Sequence, residues 1–281
     1  MLGHKAFNHF SKSSDFETFG TLRNSSDVKK FFFKSDNIES IFSNIDVLNI
    51  NSVFELIEKT NPDIILNCVG VIKQIKESKN PLLSIEINSL FPHKVANFIK
   101  NSKTRLIHIS TDCVFSGEKG NYIESDYSDA KDLYGKTKYL GELVNYSNCV
   151  TLRTSIIGPE LKTKLSLLEW FLSQKISVNG FVNAIYSGLT TMELIKVIET
   201  YIIPQNDKYG LYHVSSEPIS KHNLLAEIAR EFNFDIKILR SEEFFNNKSL
   251  NSQKFTNDFG YQKKSWNKMI LEMKNNMIEK T

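Results

Sequence analysis

What the chain lacks narrows its function before any motif is read. No stretch approaches the ~20 consecutive apolar residues of a membrane span, and no charged-then-apolar signal pattern opens the chain. A reducing cytoplasm is therefore the expected location, with no membrane partner. The three cysteines, Cys68, Cys113 and Cys149, have no CxxC spacing, so neither a zinc site nor a redox pair is expected, and two of them sit in apolar runs where a small thiol packs. Charge of one sign is not in excess: 35 basic and 32 acidic residues are spread along the whole length for a formal net charge of +3. That is too even for a nucleic-acid footprint. There is no internal repeat and no low-complexity linker. No β-strand stands ahead of the opening MLGHKAFNHF either, although an α/β protein usually spends its first residues on a buried strand.

What is present is an ordinary globular composition, 281 residues with 41% hydrophobic content, enough for one large domain or two modest ones. The first half alternates β-rich runs with amphipathic windows, the pattern of a parallel sheet covered by helices. Strands are expected in FETFGTL from Phe16, around IDVLNI from Ile45, in DIILNCVG from Asp63, in RLIHIST from Arg105 and in CVTLRTSIIG from Cys149. Between them SVFELIEKT and NSLFPHKVANFIKNS space apolar residues three and four apart, as helices burying one face do. The fold class read from this is α/β, a doubly wound parallel sheet whose strand order the sequence does not fix. After Gly158 the pattern loosens. LSLLEWFLSQ, TTMELIKVIETYI and SKHNLLAEIAREF read as helices, the last capped by Ser220, GLYHVSS as a late strand and NNKSLNSQKFTNDFGYQ as polar and loop-rich.

The most informative stretch is ISTDCVFSGEKGNYIESDYSDAKDLYGKTKYLGEL. It reads as a buried strand ending in Ser110 and Thr111, a polar loop, and a helix that Asp132 caps. Tyr134 and Lys138 lie four apart and share a helix face. A phenol starts near pKa ~10, and a fixed ammonium beside it stabilises the phenolate and makes it a tunable acid for carbonyl reduction. Tyr-x-x-x-Lys alone is a weak signal, because ten tyrosines in a lysine-rich chain give about one such match by chance.

Context strengthens it. A strand-end hydroxyl, Tyr and Lys on the next helix, and an alternating first half together resemble the extended short-chain dehydrogenase/reductase superfamily. Within it, STDCVFSG, YGKTKYLGE and TLRTSIIG resemble the dTDP-4-dehydrorhamnose reductases and related nucleotide-sugar 4-keto reductases, and the likeness runs on through GLYHVSSEPISKHNLL and LNSQKF. The resemblance implies a Rossmann-like NAD(P)-binding domain over 1–158 and, over 159–281, mainly a smaller substrate-binding lobe with some segments returning to the core. It implies that Thr111 holds the substrate carbonyl oxygen, Tyr134 protonates it, and Lys138 acidifies Tyr134 and bonds the nicotinamide ribose. It places Asn67, Cys68, Val69 and Gly70 in a cofactor loop, where Gly admits a close backbone approach. Asp46 and Val47 fall near the adenine, and Asn88 is a helix asparagine supporting the cofactor side of the site. Asp112 joins Thr111 toward substrate, and Asn183, Tyr186 and Thr190 of NGFVNAIYSGLTT are expected at the sugar nucleotide. The helix around Trp170 is expected in the core.

Met1, Leu2, Gly3 and His4 match the end of the family's Gly-x-x-Gly-x-x-Gly phosphate loop, with Gly3 as its third glycine. The expectation is that the first strand and two glycines are missing, so that this form binds NADPH poorly and is marginally stable. The cofactor itself follows from charge: after FETFGTL comes Arg23, with no carboxylate until Asp27, which suits a 2′-phosphate and points to NADPH, with NADH the alternative. Related dehydratases carry Thr-Asp-Glu where this chain has Thr111, Asp112 and Cys113. Without that glutamate, reduction of a nucleotide-linked 4-keto-6-deoxy sugar for surface polysaccharide is the expected activity. An epimerase and a non-catalytic cofactor-binding subunit stay open as alternatives, and so does a homodimer.

Overall fold

Short β segments and amphipathic helices alternate from the start of the chain, and their order determines which side chains can meet. The structure, a computed structural model, describes residues 1–27, 38–73, 76–161 and 165–278. Helix α1 (Leu2–Phe10) is followed by β1 (Gly20–Leu22) and β2 (Ile41–Ser43), a parallel pair. Helix α2 (Ile50–Thr60) leads to β3 (Ile64–Asn67). Helix α3 (Pro81–Ile85), a π-helical turn at Glu86–Leu90 and α4 (Phe91–Ile99) form one continuous helical stretch before β4 (Arg105–Ile109). Helix α5 (Leu133–Leu140) then precedes β5 (Cys149–Arg153). The second half contributes β6 (Ile156–Ile157), α6 (Leu167–Leu172), β7 (Ser177–Phe181), β8 (Ala184–Tyr186), β9 (Leu189–Thr190) and α7 (Thr191–Val197). It closes with β10 (Gly210–His213), β11 (Ile219–Ser220), α8 (Lys221–Phe232), β12 (Lys237–Ser241), β13 (Asn246–Asn247), α9 (Gln253–Phe259) and α10 (Trp266–Ile278).

The central sheet is parallel, in the order β10–β5–β4–β3. Strand β5 is buried at every position and β4 at all but its last, as parallel strands covered on two faces are, although Arg105, His108, Thr151 and Arg153 are polar. Helix α4 buries Phe91, Val95, Ala96 and Ile99 against Leu106 and Leu143. The main core draws on both halves of the chain, packing Leu2, Ala6 and Phe10 of α1 with Val150, Leu194, Leu224, Phe255 and Ile270. Strand β10 brings the late GLYH segment back beside β5. Ser220 caps α8 by accepting from the Asn223 amide at 3.1 Å.

Three expectations fail for local reasons. The first strand is confined to Gly20–Leu22, because Phe16 instead packs edge-on against Phe10 with ring centroids 5.1 Å apart. The IDVLNI strand does not form. The ladder lies one step earlier at Ile41–Ser43, and Asp46 Oδ1 accepts from the Leu48 amide at 3.0 Å, making the turn that starts α2. The segment expected to be loop-rich contains α9, where Phe255 and Phe259, four apart, are both buried and Gly260 ends the helix at φ 73°. The helix around Trp170 does join the core, as expected, through Leu168 and Phe171, while Trp170 itself is 39% exposed.

Candidate active site

Parallel sheets offer their ligand sites at the carboxyl ends of the strands, and the chemistry-bearing residues gather there. Strand β4 ends at Ile109 and delivers Thr111 into a short helical turn. The Thr111 hydroxyl accepts from the Cys113 amide at 3.1 Å and donates to Asp112 Oδ1 at 3.2 Å. Helix α5 faces it. Asp132 caps that helix through the Gly135 amide at 2.8 Å and pairs with Lys73 at 2.7 Å. Gly135 makes the approach feasible, because a Cβ there would stand 2.2 Å from the Cys113 carbonyl oxygen. With helix and loop this close, the Thr111 hydroxyl lies near enough to the Tyr134 phenol to favour its charged form. One turn on, the buried Lys138 ammonium donates to the Ile109 carbonyl at 2.7 Å.

The electrostatics of the pair differ from the sequence expectation. Burial pushes the Tyr134 phenol up, as do Cys113 and Asp112, and the nearby Thr111 hydroxyl opposes this. The Lys138 ammonium is engaged by the Ile109 carbonyl. Burial lowers Lys138 to about 8, against the opposing fields of Glu142 and Cys68.

On the cofactor side, Asn67 shapes the expected loop. Its Oδ1 accepts from the Val69 amide at 3.0 Å and its Nδ2 meets His108 Nδ1 at 3.0 Å. Val69 and Gly70 are exposed, while the Cys68 thiol, pushed up to about 12 by burial, sits under the start of α1, where a Cβ on Gly3 would meet Cys68 Cβ at 3.5 Å. Burial lowers the Met1 amine, which Cys68 and Glu160 raise. Two assignments shift. Leu2 puts its side chain in the main core, so only its backbone can face a ligand. Asn88 is fully engaged one layer behind, accepting from the Val71 amide at 2.9 Å and donating to the Val71 carbonyl and the Thr137 hydroxyl, both at 3.2 Å. It ties the loop to α5 rather than touching a cofactor. Arg23 stands exposed just past β1, Asp46 forms the turn already described, and half-buried Val47 packs on the second core.

These residues fit a nicotinamide dinucleotide. An ammonium has three donors and the buried Lys138 spends one, which leaves two for ribose hydroxyls. Arg23 is exposed, has no ion pair among the described residues, and suits a 2′-phosphate. Among the described residues no cluster of His, Cys, Asp or Glu is placed to hold a metal ion, and no helix is long and apolar enough to cross a membrane.

The substrate side changes most. Thr190 is completely buried and caps α7 by accepting from the Glu193 amide at 3.3 Å, so it is not a ligand contact. Asn183 lies in the turn after β7 and donates to the Glu242 carbonyl at 3.4 Å. Tyr186 is 7% exposed, with its hydroxyl against Ser155 and Gly188 but in no hydrogen bond of good geometry. Over its ring, 4.4 Å from the centroid, stands the ammonium of Lys221. Sequence reasoning missed this lysine and Lys248, whose charges both act on buried Asp112 and keep its carboxyl from rising further than burial alone would take it. A signal existed: Lys221 is the first residue of α8, where the positive end of the helix dipole disfavours a cation. Burial lowers Lys221 to about 8 as well. Cys113, read as packing, lies among these groups with its thiol pushed up to about 11 by burial and by Asp112.

The chain was compared with known proteins. The profile of the family described as "RmlD substrate binding domain" matches residues 12–278. A dTDP-4-dehydrorhamnose reductase of Aggregatibacter actinomycetemcomitans is 26% identical over 187 residues, covering 63% of this chain and 63% of that protein, less than two thirds of its length. Among solved structures, a dTDP-4-dehydrorhamnose reductase from Bacillus anthracis in complex with NADP superimposes with a TM-score of 0.73 at 21% identity, over 94% of this chain and 100% of that one. A UDP-glucose 4-epimerase from Thermotoga maritima with UDP-glucose gives a TM-score of 0.80 at 11% identity, over 100% of this chain and 97% of that one. At those identities the two structures establish a shared Rossmann-like α/β fold.

Proposed function

The chain belongs to the RmlD substrate-binding-domain family, and from that premise we propose that it is an NADPH-dependent reductase of the 4-keto group of a nucleotide-linked 4-keto-6-deoxy sugar, acting in the cytoplasm. The observation that carries the reading is the close packing of the Tyr134 helix, at Gly135, against the Cys113 carbonyl of the turn that Thr111 opens, with a buried Lys138 ammonium one helix turn on that spends one donor on Ile109. NADPH, when bound, supplies the hydride. The Thr111 hydroxyl turns from Asp112 to the substrate carbonyl and holds it, and the Tyr134 hydroxyl gives up its proton to that oxygen. Lys138 uses its two spare donors to fix the ribose and stabilise the phenolate left behind. A Tyr134 raised by burial favours the protonated, donating form that reduction requires. The test is oxidation of NADPH in the presence of dTDP- and UDP-linked 4-keto-6-deoxy sugars.

Two substitutions probe the binding halves. Arg23→Ala is expected to weaken NADPH binding while leaving NADH binding unchanged, since only the 2′-phosphate loses a charge-assisted partner. Fluorescence titration with each cofactor measures this, and an equal loss for both would remove Arg23 from the site. Lys221→Met keeps the stem over Tyr186 and deletes the charge. It is expected to raise KM for the nucleotide sugar about tenfold, ~1.4 kcal/mol of binding, with kcat changed far less. An unchanged KM would exclude Lys221 from substrate binding. Exposed Leu82 and Ile85 on α3 and Leu140 on α5, two helices that pack together, support a homodimer, readable by sedimentation.

A further inference from the structure

Two buried polar groups beneath the strand ends contrast in how they are satisfied. Arg153 grips Glu142 with Nε to Oε1 and Nη2 to Oε2, both at 2.7 Å, and its Nη1 donates to His213 Nε2 at 3.2 Å, so that cluster completes itself. His108 on β4 does not. It is 1% exposed, and its Nε2 is sealed from solvent with no hydrogen-bond partner among the described residues. A buried polar atom in that state costs stability, so the ring is present either for its bulk or for what its other nitrogen does.

That other nitrogen, Nδ1, reaches the expected cofactor loop. Asn67, at the end of β3, stands beside His108 in the β3–β4 ladder, and its Nδ2 lies 3.0 Å from His108 Nδ1. The pattern of donors fixes the protons of this pair. The Val69 amide can only donate, so the Asn67 oxygen must face it, at 3.0 Å. The Asn67 NH2 group is thereby turned to the imidazole. It too can only donate, so Nδ1 is bare and the neutral ring carries its proton on the unpartnered Nε2. Burial, Lys138 and His93 all hold the ring neutral.

The loop that follows is held at both ends. Asn67 binds the Val69 amide at its start, and Asn88, tied to Thr137 of α5, binds the Val71 amide and carbonyl at its far end. Between these clamps Val69 and Gly70 are exposed. One residue beyond His108 the Ile109 carbonyl receives Lys138, so the end of β4 addresses the loop and the lysine together. Resting on the reductase reading, we propose that His108 is a positioning residue for the cofactor: its bare Nδ1 locks the Asn67 side chain, and through it the Val69–Gly70 turn, in the shape that receives NADPH. Without that acceptor the Asn67 NH2 group is orphaned, and the side chain gains by turning to another partner and releasing the Val69 amide. The unpartnered Nε2 is what a ring used through Nδ1 leaves behind.

Two substitutions separate this role from packing. Leucine matches the bulk of the ring and has no acceptor, whereas asparagine is smaller but carries its Oδ1 where the ring carries Nδ1. His108→Leu is expected to raise the Kd for NADPH about tenfold and to speed hydrogen exchange of the Val69 amide by a similar factor, with kcat at saturating NADPH changed far less. His108→Asn is expected to keep both within about twofold of the wild type, although the cavity it leaves lowers its melting temperature. A residue that only fills space gives the reverse order. That order, or an unchanged Kd and exchange rate in His108→Leu, overturns the proposal. The wild type supplies a check that needs no variant: ¹⁵N spectra of the imidazole should show the His108 proton on Nε2, and a proton on Nδ1 overturns the proposal as well. A wild type that binds no NADPH fails the reductase reading instead, and exchange at Val69 in the two variants then still decides whether His108 holds the loop.

Discussion

Replacing Tyr134 by phenylalanine is expected to lower kcat about 10²- to 10⁴-fold, the usual worth of a positioned general acid. The substitution removes one oxygen and leaves the ring, the helix and the Lys138 bond to Ile109 in place. Affinity for NADPH and for the nucleotide sugar should therefore hold within a few fold. Steady-state kinetics on the turned-over sugar, with cofactor titration alongside, separate the two quantities. Retention of near-full turnover would mean that another group supplies the proton.

The largest effect on stability is expected from Arg153→Met. Taking the guanidinium away strands the Glu142 carboxylate in a dry interior and strips His213 Nε2 of its donor. Breaking one side of a buried pair typically costs about 3–5 kcal/mol, a large share of what a domain has. Equilibrium denaturation in urea measures it. Pairing the change with Glu142→Met should restore most of the loss, because the penalty belongs to the orphaned charge, and a double variant as weak as the single one would contradict this account.

How much of this could be read from the sequence depends on the range of the interaction. Helices α4 and α8 and strands β4 and β5 were legible because their apolar spacing is a local property, and so was the Asp132 cap. That Tyr134 and Lys138 share one helix was legible because their four-residue spacing is a local property. Strand order was not, and neither was the partner of Arg153, since a strand residue's neighbours are set by ladders between segments far apart in sequence. Thr190 illustrates the opposite error. Its place in a segment rich in polar residues suggests a ligand contact, yet a threonine just ahead of a helix satisfies an orphan amide equally well, and here it does so. Lys221 was hidden for a further reason: its role depends on an aromatic ring contributed by β8, 35 residues earlier.

The contact at Gly135 has one more consequence. Because the backbone of α5 lies directly against the Cys113 carbonyl, Tyr134 and Thr111 cannot separate without moving a helix and a strand end together. Their mutual distance is thus established when the chain folds, before any ligand arrives. On the reductase reading, substrate need not spend binding energy bringing the two together, so discrimination among sugars falls to Lys221 and Lys248 of the second half, and variants with altered sugar preference should be sought there rather than around Tyr134.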